Sequence, residues 1–145
     1  MQSDKISILV KKAALHAERI QAPILQEHDL SVSQYKILKH LYKSPKDSIR
    51  VVDLEEFFSM THPAVIDVLK VLEKKGYTTR IVNPEDGRSK IISLTDKAYS
   101  MRQELEGLGD EMETIITTNL TEKERETLVR LLRKFLECKK EKTHE

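Results

Sequence analysis

The chain has 145 residues, and its 25 Lys and Arg against 24 Asp and Glu leave a formal net charge of +1. That length is the size of one ordinary domain, and so small a net charge excludes nucleic-acid binding by bulk charge, because counterion release requires cations gathered on one face. With 39% hydrophobic and 34% charged residues but only 4 Gly and 4 Pro, the composition suits a surface laid out mostly on helices.

No apolar run approaches the roughly twenty residues of a membrane span, and the N-terminus lacks the apolar core and cleavage site of a signal peptide. A single cysteine, Cys138, cannot form an internal disulfide, so a cytoplasmic setting is expected. The charges are unevenly placed. Lys36, Lys39, Lys43, Lys46 and Arg50 are opposed locally only by Asp47, whereas acids dominate between Asp96 and Glu124.

From Lys5 to about Gln26 the apolar residues Ile6, Leu9, Val10, Ala13, Ala17 and Ile20 follow a helical period, with Pro23 expected to kink or end the helix. Ser31 and Gln34 have the spacing of a capping box, opening a second helix that buries Tyr35, Leu38, Leu41 and Tyr42 and stops at Ser44-Pro45. A short extended piece around Ile49–Val51 precedes a brief helix carrying Leu54, Phe57 and Phe58, for which Asp53 is the expected cap. Thr61 then has the chemistry of an N-cap, and Pro63 falls in the first turn, where its missing N–H costs little. This helix is expected from about His62 to Lys75, with Gly76 as its left-handed stop.

Tyr77–Val82 and Lys90–Leu94 are β-prone, and Asp86-Gly87 between them is the expected hairpin turn. Thr95-Asp96 caps a long helix with the stripe Met101, Leu105, Leu108, Met112, Ile115 and Ile116, in which Gly107 and Gly109 form a local weak point. Thr121 and Glu124 make another capping box for a last helix with Leu128, Leu131, Leu132 and Phe135.

This order predicts a mainly α protein: a winged helix-turn-helix domain with a small β-hairpin wing, residues 31–95, between dimerisation helices at residues 1–30 and 96–145. The terminal helices carry apolar stripes most cheaply buried against a second copy, which predicts a homodimer. At about 100 degrees per residue, the helix after Thr61 places Val65, Val68, Leu69 and Leu72 on one face and Pro63, Asp67, Lys70 and Lys74 on the other. The second face makes Thr61, His62, Ile66, Asp67, Lys70 and Lys74 candidates for contact with double-stranded DNA. Lys70 can donate to guanine, Ile66 can touch a thymine methyl, and Asp67 can accept from cytosine N4. The competing reading makes these lysines a solvated helix face. Arg88 at the hairpin tip and Lys90 beside it can enter a minor groove or hold phosphates; alternatively, Arg88 shapes the turn through Asp86 or Glu85.

The segments Leu30–Leu38 (LSVSQYKIL), Val71–Tyr77 (VLEKKGY) with Arg80, Asn83–Lys90 (NPEDGRSK) and Ile92–Ala98 (ISLTDKA) together resemble the MarR family of multiple-antibiotic-resistance regulators. The resemblance implies an obligate dimer joined through its first and last helices, a palindromic operator, usually repression, and release by a small-molecule effector. It maps the family's wing arginine and aspartate onto Arg88 and Asp86. The chain departs from the family's recognition helix, which usually carries Thr or Ser and then Arg, at Ala64, Ile66 and Asp67.

His16 and Tyr35 are candidates for an effector cleft between dimer arm and winged domain, against the simpler expectation of interfacial packing. Cys138 is expected to be a packing residue and not an oxidation sensor. The scattered His16, His28, His40, His62 and His144 lack metal-ligand spacing, so neither a metal nor a cofactor is expected. No nucleophile with its base, nucleophile elbow, phosphate loop or acid pair is found, which argues against an enzyme. The remaining alternative is a protein-interaction module that kept the winged fold but lost DNA binding, suggested by Asp67 and the low net charge.

Overall fold

The structure is a computed structural model and describes residues 5–137; Cys138 and His144 lie outside the described residues. Six helices and three strands follow one another as α1 (Ile6–Gln26), α2 (Val32–Lys43), β1 (Ile49–Arg50), α3 (Val51–Phe58), α4 (His62–Lys74), β2 (Thr78–Asn83), β3 (Asp86–Leu94), α5 (Asp96–Ile116) and α6 (Glu122–Leu136). The strands form one antiparallel sheet in the order β1-β3-β2. This is the winged helix-turn-helix architecture expected from the sequence. The chain divides into two compact units, one ending at Met112 and the other beginning at Glu113.

The first unit is built on Leu25, Ile37, Leu38, Leu54, Val65, Leu69, Leu72, Ile92 and Leu105, all essentially inaccessible. Each comes from the apolar stripe of its own element, so the core records the period of the sequence. Two tyrosines of α2 reach through it to the backbone of α5. Tyr42 donates to the Ala98 carbonyl at 2.5 Å and Tyr35 to the Leu105 carbonyl at 3.2 Å. Burial raises both phenols above their ordinary pKa, Tyr42 to about 12, so each stays a hydrogen-bond donor at any physiological pH.

Three local expectations are corrected and one is refined. Pro23 does not end α1, which runs on to Gln26; one amide bond is lost, and Leu25 in the last turn is fully buried. Asp53 is not the N-cap of α3. The helix starts earlier, at Val51, and Asp53 acts from its third position, accepting from the Arg50 amide at 2.8 Å and pairing with the Arg50 guanidinium at 3.0 Å. The hydrogen bond from the Arg50 guanidinium, more than the one from its amide, holds the Asp53 carboxyl below its ordinary pKa.

The hairpin turns at Pro84-Glu85 and not at Asp86-Gly87, since Asn83 pairs with Asp86. Pro84 cannot donate to a ladder and its fixed φ suits the first corner of a turn, while Asn83 Oδ1 accepts from the Glu85 amide at 3.0 Å.

α5 runs continuously across Gly107 and Gly109, so the propensity cost of the two glycines does not break the helix. A side chain at Gly107 would meet open space, but a Cβ at Gly109 would collide with the Tyr35 hydroxyl. The second glycine is therefore a close-approach point that lets α2 and α5 share their tyrosine bond.

The second unit holds the end of α5 and α6. Thr121 and Glu124 form the expected capping box, with bonds of 2.9 and 3.1 Å. No residue of α6 is buried, and Leu128, Val129, Leu131, Leu132, Phe135 and Leu136 all stand exposed.

Gly107→Ala is expected to raise stability by up to about 1 kcal/mol through helix propensity. Gly109→Ala should lower it by about 1–3 kcal/mol by overpacking against Tyr35. Thermal unfolding followed by circular dichroism checks both signs; two changes of equal sign would contradict the assigned close approach.

Candidate nucleic-acid interface

The helix that would read DNA, α4, is fixed at both ends by its own sequence. At its start the Thr61 hydroxyl accepts from the Ala64 amide at 3.3 Å, and Pro63 occupies the first turn. The turn before it is closed by Ser59 in the left-handed region, φ 53°, with the Met60 amide donating to the Glu55 carbonyl at 3.0 Å. At its end Gly76 has φ 86°, the Tyr77 amide donates to the Leu72 carbonyl at 2.9 Å and the Gly76 amide to the Glu73 carbonyl at 3.0 Å. This paired arrangement is a Schellman stop, in which a residue without Cβ pays no steric penalty.

The buried face of α4 is Val65, Leu69 and Leu72, with Val68 half-buried, as the helical projection requires. Thr61, His62, Pro63, Asp67, Lys70 and Lys74 are exposed, and Ile66 lies at the margin. Among the described residues Asp67, Lys70 and Lys74 enter no ion pair. The outer face therefore carries two lysines whose charge is not spent inside the protein, and a carboxylate about one turn before the first of them. His62 is different, because its Nδ1 lies 2.8 Å from Oε2 of Glu55 on α3.

The wing is organised around its turn. Asn83 Nδ2 donates to the Ser89 hydroxyl at 3.0 Å, and the Arg88 amide donates to Asp86 Oδ1 at 3.1 Å. The register jumps between Val82, which faces Lys90, and Asn83, which faces Asp86. Gly87, Arg88 and Ser89 are therefore bulged out of β3. The Arg88 side chain is 96% exposed and its Nε stands 3.7 Å from Asp86 Oδ1. Both sequence readings of Arg88 thus have a physical counterpart: a loose contact with Asp86, and a guanidinium held out in solvent. At that exposure the ion pair is worth little.

Sequence inspection missed what joins the wing to the helix. Arg80 on β2 donates to both carboxylate oxygens of Glu73 on α4, at 2.6 and 3.3 Å, and both side chains are largely covered. Lys90, across from Val82, lines a cleft of about 530 Å³ with Glu73, Thr78, Thr79 and Arg80. Thr95 seals the junction, its hydroxyl donating to the Gly76 carbonyl at 2.6 Å and accepting from the Ala98 amide at 3.2 Å. The only sequence signal was spacing: an acid and an arginine on either side of a glycine stop.

Two basic residues near α4 serve the fold instead. The Lys75 ammonium donates to the Asp29 carbonyl at 2.6 Å and to Gln34 Oε1 at 2.9 Å, and Lys97 donates to the Lys75 carbonyl at 2.6 Å while lying over the Tyr77 ring. His40 stacks on Phe57 with ring centroids 4.1 Å apart, and burial lowers its pKa despite Asp53 nearby. The effector candidates are not alike: His16 is exposed, whereas Tyr35 is buried with its hydroxyl committed to α5.

No helix among the described residues is long and apolar enough to cross a membrane, and no cluster of metal-ligating side chains occurs among them. The MarR family model matches residues 30–90, from α2 through the wing. The chain is 26% identical over 133 residues, 92% of its length and 88% of the relative's, to the homoprotocatechuate degradative operon repressor of Escherichia coli. It is 27% identical over 88 residues, 61% of the chain, to the HTH-type transcriptional regulator SarZ of Staphylococcus haemolyticus, and that match spans 58% of SarZ. Among solved structures it resembles a cysteine-to-serine variant of MarR from E. coli complexed with operator DNA, with a TM-score of 0.80 and 27% identity over 90% of this chain and 93% of that one.

Arg80→Ala is expected to speed amide exchange in β2 and β3 by about tenfold while leaving α4 protected, because the wing loses its tether and the helix keeps its caps. Hydrogen-exchange mass spectrometry checks this; unchanged exchange at Ile81 and Ile91 would show that the pair does not hold the wing.

Proposed function

We propose that this chain, which is similar to DNA-binding transcriptional regulators of the MarR family, is a repressor that grips a palindromic operator as a homodimer and is released by a small-molecule effector. The observation that carries this reading is the pairing of an exposed polar face on α4 with a structured wing tip that holds Arg88 in solvent.

In a helix-turn-helix protein the start of the second helix enters the major groove. Thr61, His62, Ile66, Asp67 and Lys70 then face base edges, with Lys70 on guanine, Ile66 on a thymine methyl and Asp67 on cytosine N4. Lys74 and Lys90 hold phosphates, and Arg88 reaches a flanking minor groove.

Two copies are needed because a palindrome presents its half-sites to a two-fold axis. Support comes from apolar surface at both ends of the chain. Ile6, Ile8 and Leu9 are exposed on α1, as are Leu128, Leu131, Leu132 and Phe135 on α6. Burying that surface against a second copy contributes about 25 cal/mol per Å² removed from water.

Effector release follows the logic of the curated relative, a repressor of a degradative operon. Such a repressor is useful only if some compound binds its DNA-free form better than its DNA-bound form.

One observation favours the protein-interaction module instead: the Asp67 carboxylate on the outer face of α4, which would repel phosphates. Fluorescence-anisotropy titration of the chain's own promoter at two salt concentrations separates the readings. Saturable binding that falls steeply with salt supports the repressor, whereas no binding at low salt leaves the module. Arg88→Ala should weaken operator binding by about tenfold, near 1.4 kcal/mol, with the sedimentation mass unchanged at twice 16.8 kDa. Unchanged affinity would remove Arg88 from the interface.

A further inference from the structure

His62, the first residue of α4, is tied to a carboxylate on the preceding helix. Its Nδ1 lies 2.8 Å from Glu55 Oε2. A carboxylate can only accept a hydrogen bond, so Nδ1 carries the hydrogen and donates it. The Glu55 side chain is 24% exposed against 63% for His62. Glu55 is also anchored through its backbone, because its carbonyl accepts from the amides of Ser59 and Met60 that carry the chain from α3 into α4. Glu55 is thus the fixed post and the imidazole is what it holds. With Nδ1 committed inward, Nε2 is the ring nitrogen left for a partner outside the protein.

We infer that Glu55 is a positioning residue for DNA recognition, locking His62 in the Nδ1–H tautomer so that Nε2 accepts a hydrogen bond from a base amino group in the major groove. This rests on the DNA-binding reading above and adds to it a second residue and a base class. A neutral imidazole with its hydrogen on Nδ1 is an acceptor at Nε2. The donors the major groove offers are adenine N6 and cytosine N4. Phosphate oxygens are themselves acceptors, so the neutral ring turns away from the backbone and toward an A or a C. A ring already held in place also loses less side-chain freedom on docking than an untethered one.

The test uses the full-length protein at pH 8. In the DNA-free state, imidazole 15N NMR shifts should show hydrogen on Nδ1 of His62 in the wild type and in Glu55→Gln, whose amide oxygen can still accept, and a shift toward the Nε2–H form in Glu55→Ala. In operator titrations, Glu55→Ala and His62→Ala should each weaken binding by about three- to tenfold, the scale of one hydrogen bond. The double variant should be no weaker than His62→Ala alone, and Glu55→Gln should recover most of the affinity. Selection from randomised operators should show Glu55→Ala losing its preference for A or C at one position.

An Nε2–H tautomer in the wild type, losses that multiply in the double variant, or wild-type affinity and base preference in Glu55→Ala would each overturn the inference. Thermal unfolding of every variant identifies any that fails to fold, and Glu55→Gln then carries the comparison. A wild type that binds no duplex at low salt takes the DNA-binding reading down as well, whereas wild-type binding indifferent to both substitutions sinks only this proposal.

Discussion

The left-handed backbone at Gly76 is the constraint on which the junction of α4 with the wing depends. It ends α4 and sends the chain directly into β2 through the buried Tyr77 and Thr78, so the wing starts where the helix stops. Any residue with a Cβ would strain this corner by about 1 kcal/mol or more. Around it the contacts accumulate: Thr95 closes on the Gly76 carbonyl, Lys97 on the Lys75 carbonyl, and Arg80 folds back onto Glu73. These contacts order the end of the helix and the start of the wing together.

Most of the fold was legible because it is written in local chemistry. The capping boxes at Ser31 and Thr121, the Thr61 cap and the Gly76 stop depend on residues within a few positions of one another, and all appear where the pattern places them. The misses share a different cause. Pro23 stands in a helix whose last turn buries Leu25, and Gly109 is explained only by Tyr35, far away in sequence. The turn at Pro84-Glu85 was hidden by the stronger local signal of Asp86-Gly87, although Asp86 instead spends its side chain on the Arg88 amide.

The site divides along the same line. Which face of α4 is outward follows from its 3.6-residue period, so the exposure of Asp67, Lys70 and Lys74 could be read directly. Which cations are already engaged could not. Lys75 and Lys97 look as eligible as Lys74 in the sequence, yet both are spent on backbone carbonyls. The charge left to meet DNA is therefore smaller than the basic count suggests.

The lysine tether at the base of α4 also ties that helix to the two that begin the chain. Its ammonium bridges to the Asp29 carbonyl and Gln34 at the junction of α1 and α2, so swinging that end would strip a cation of both acceptors at once. The opposite end rests on the four-residue stretch from Ser59 to His62, with one strained dihedral at Ser59. That stretch is itself closed by the Met60 amide on the Glu55 carbonyl and by the Thr61 cap, so the helix is seated at its tip as well as at its root.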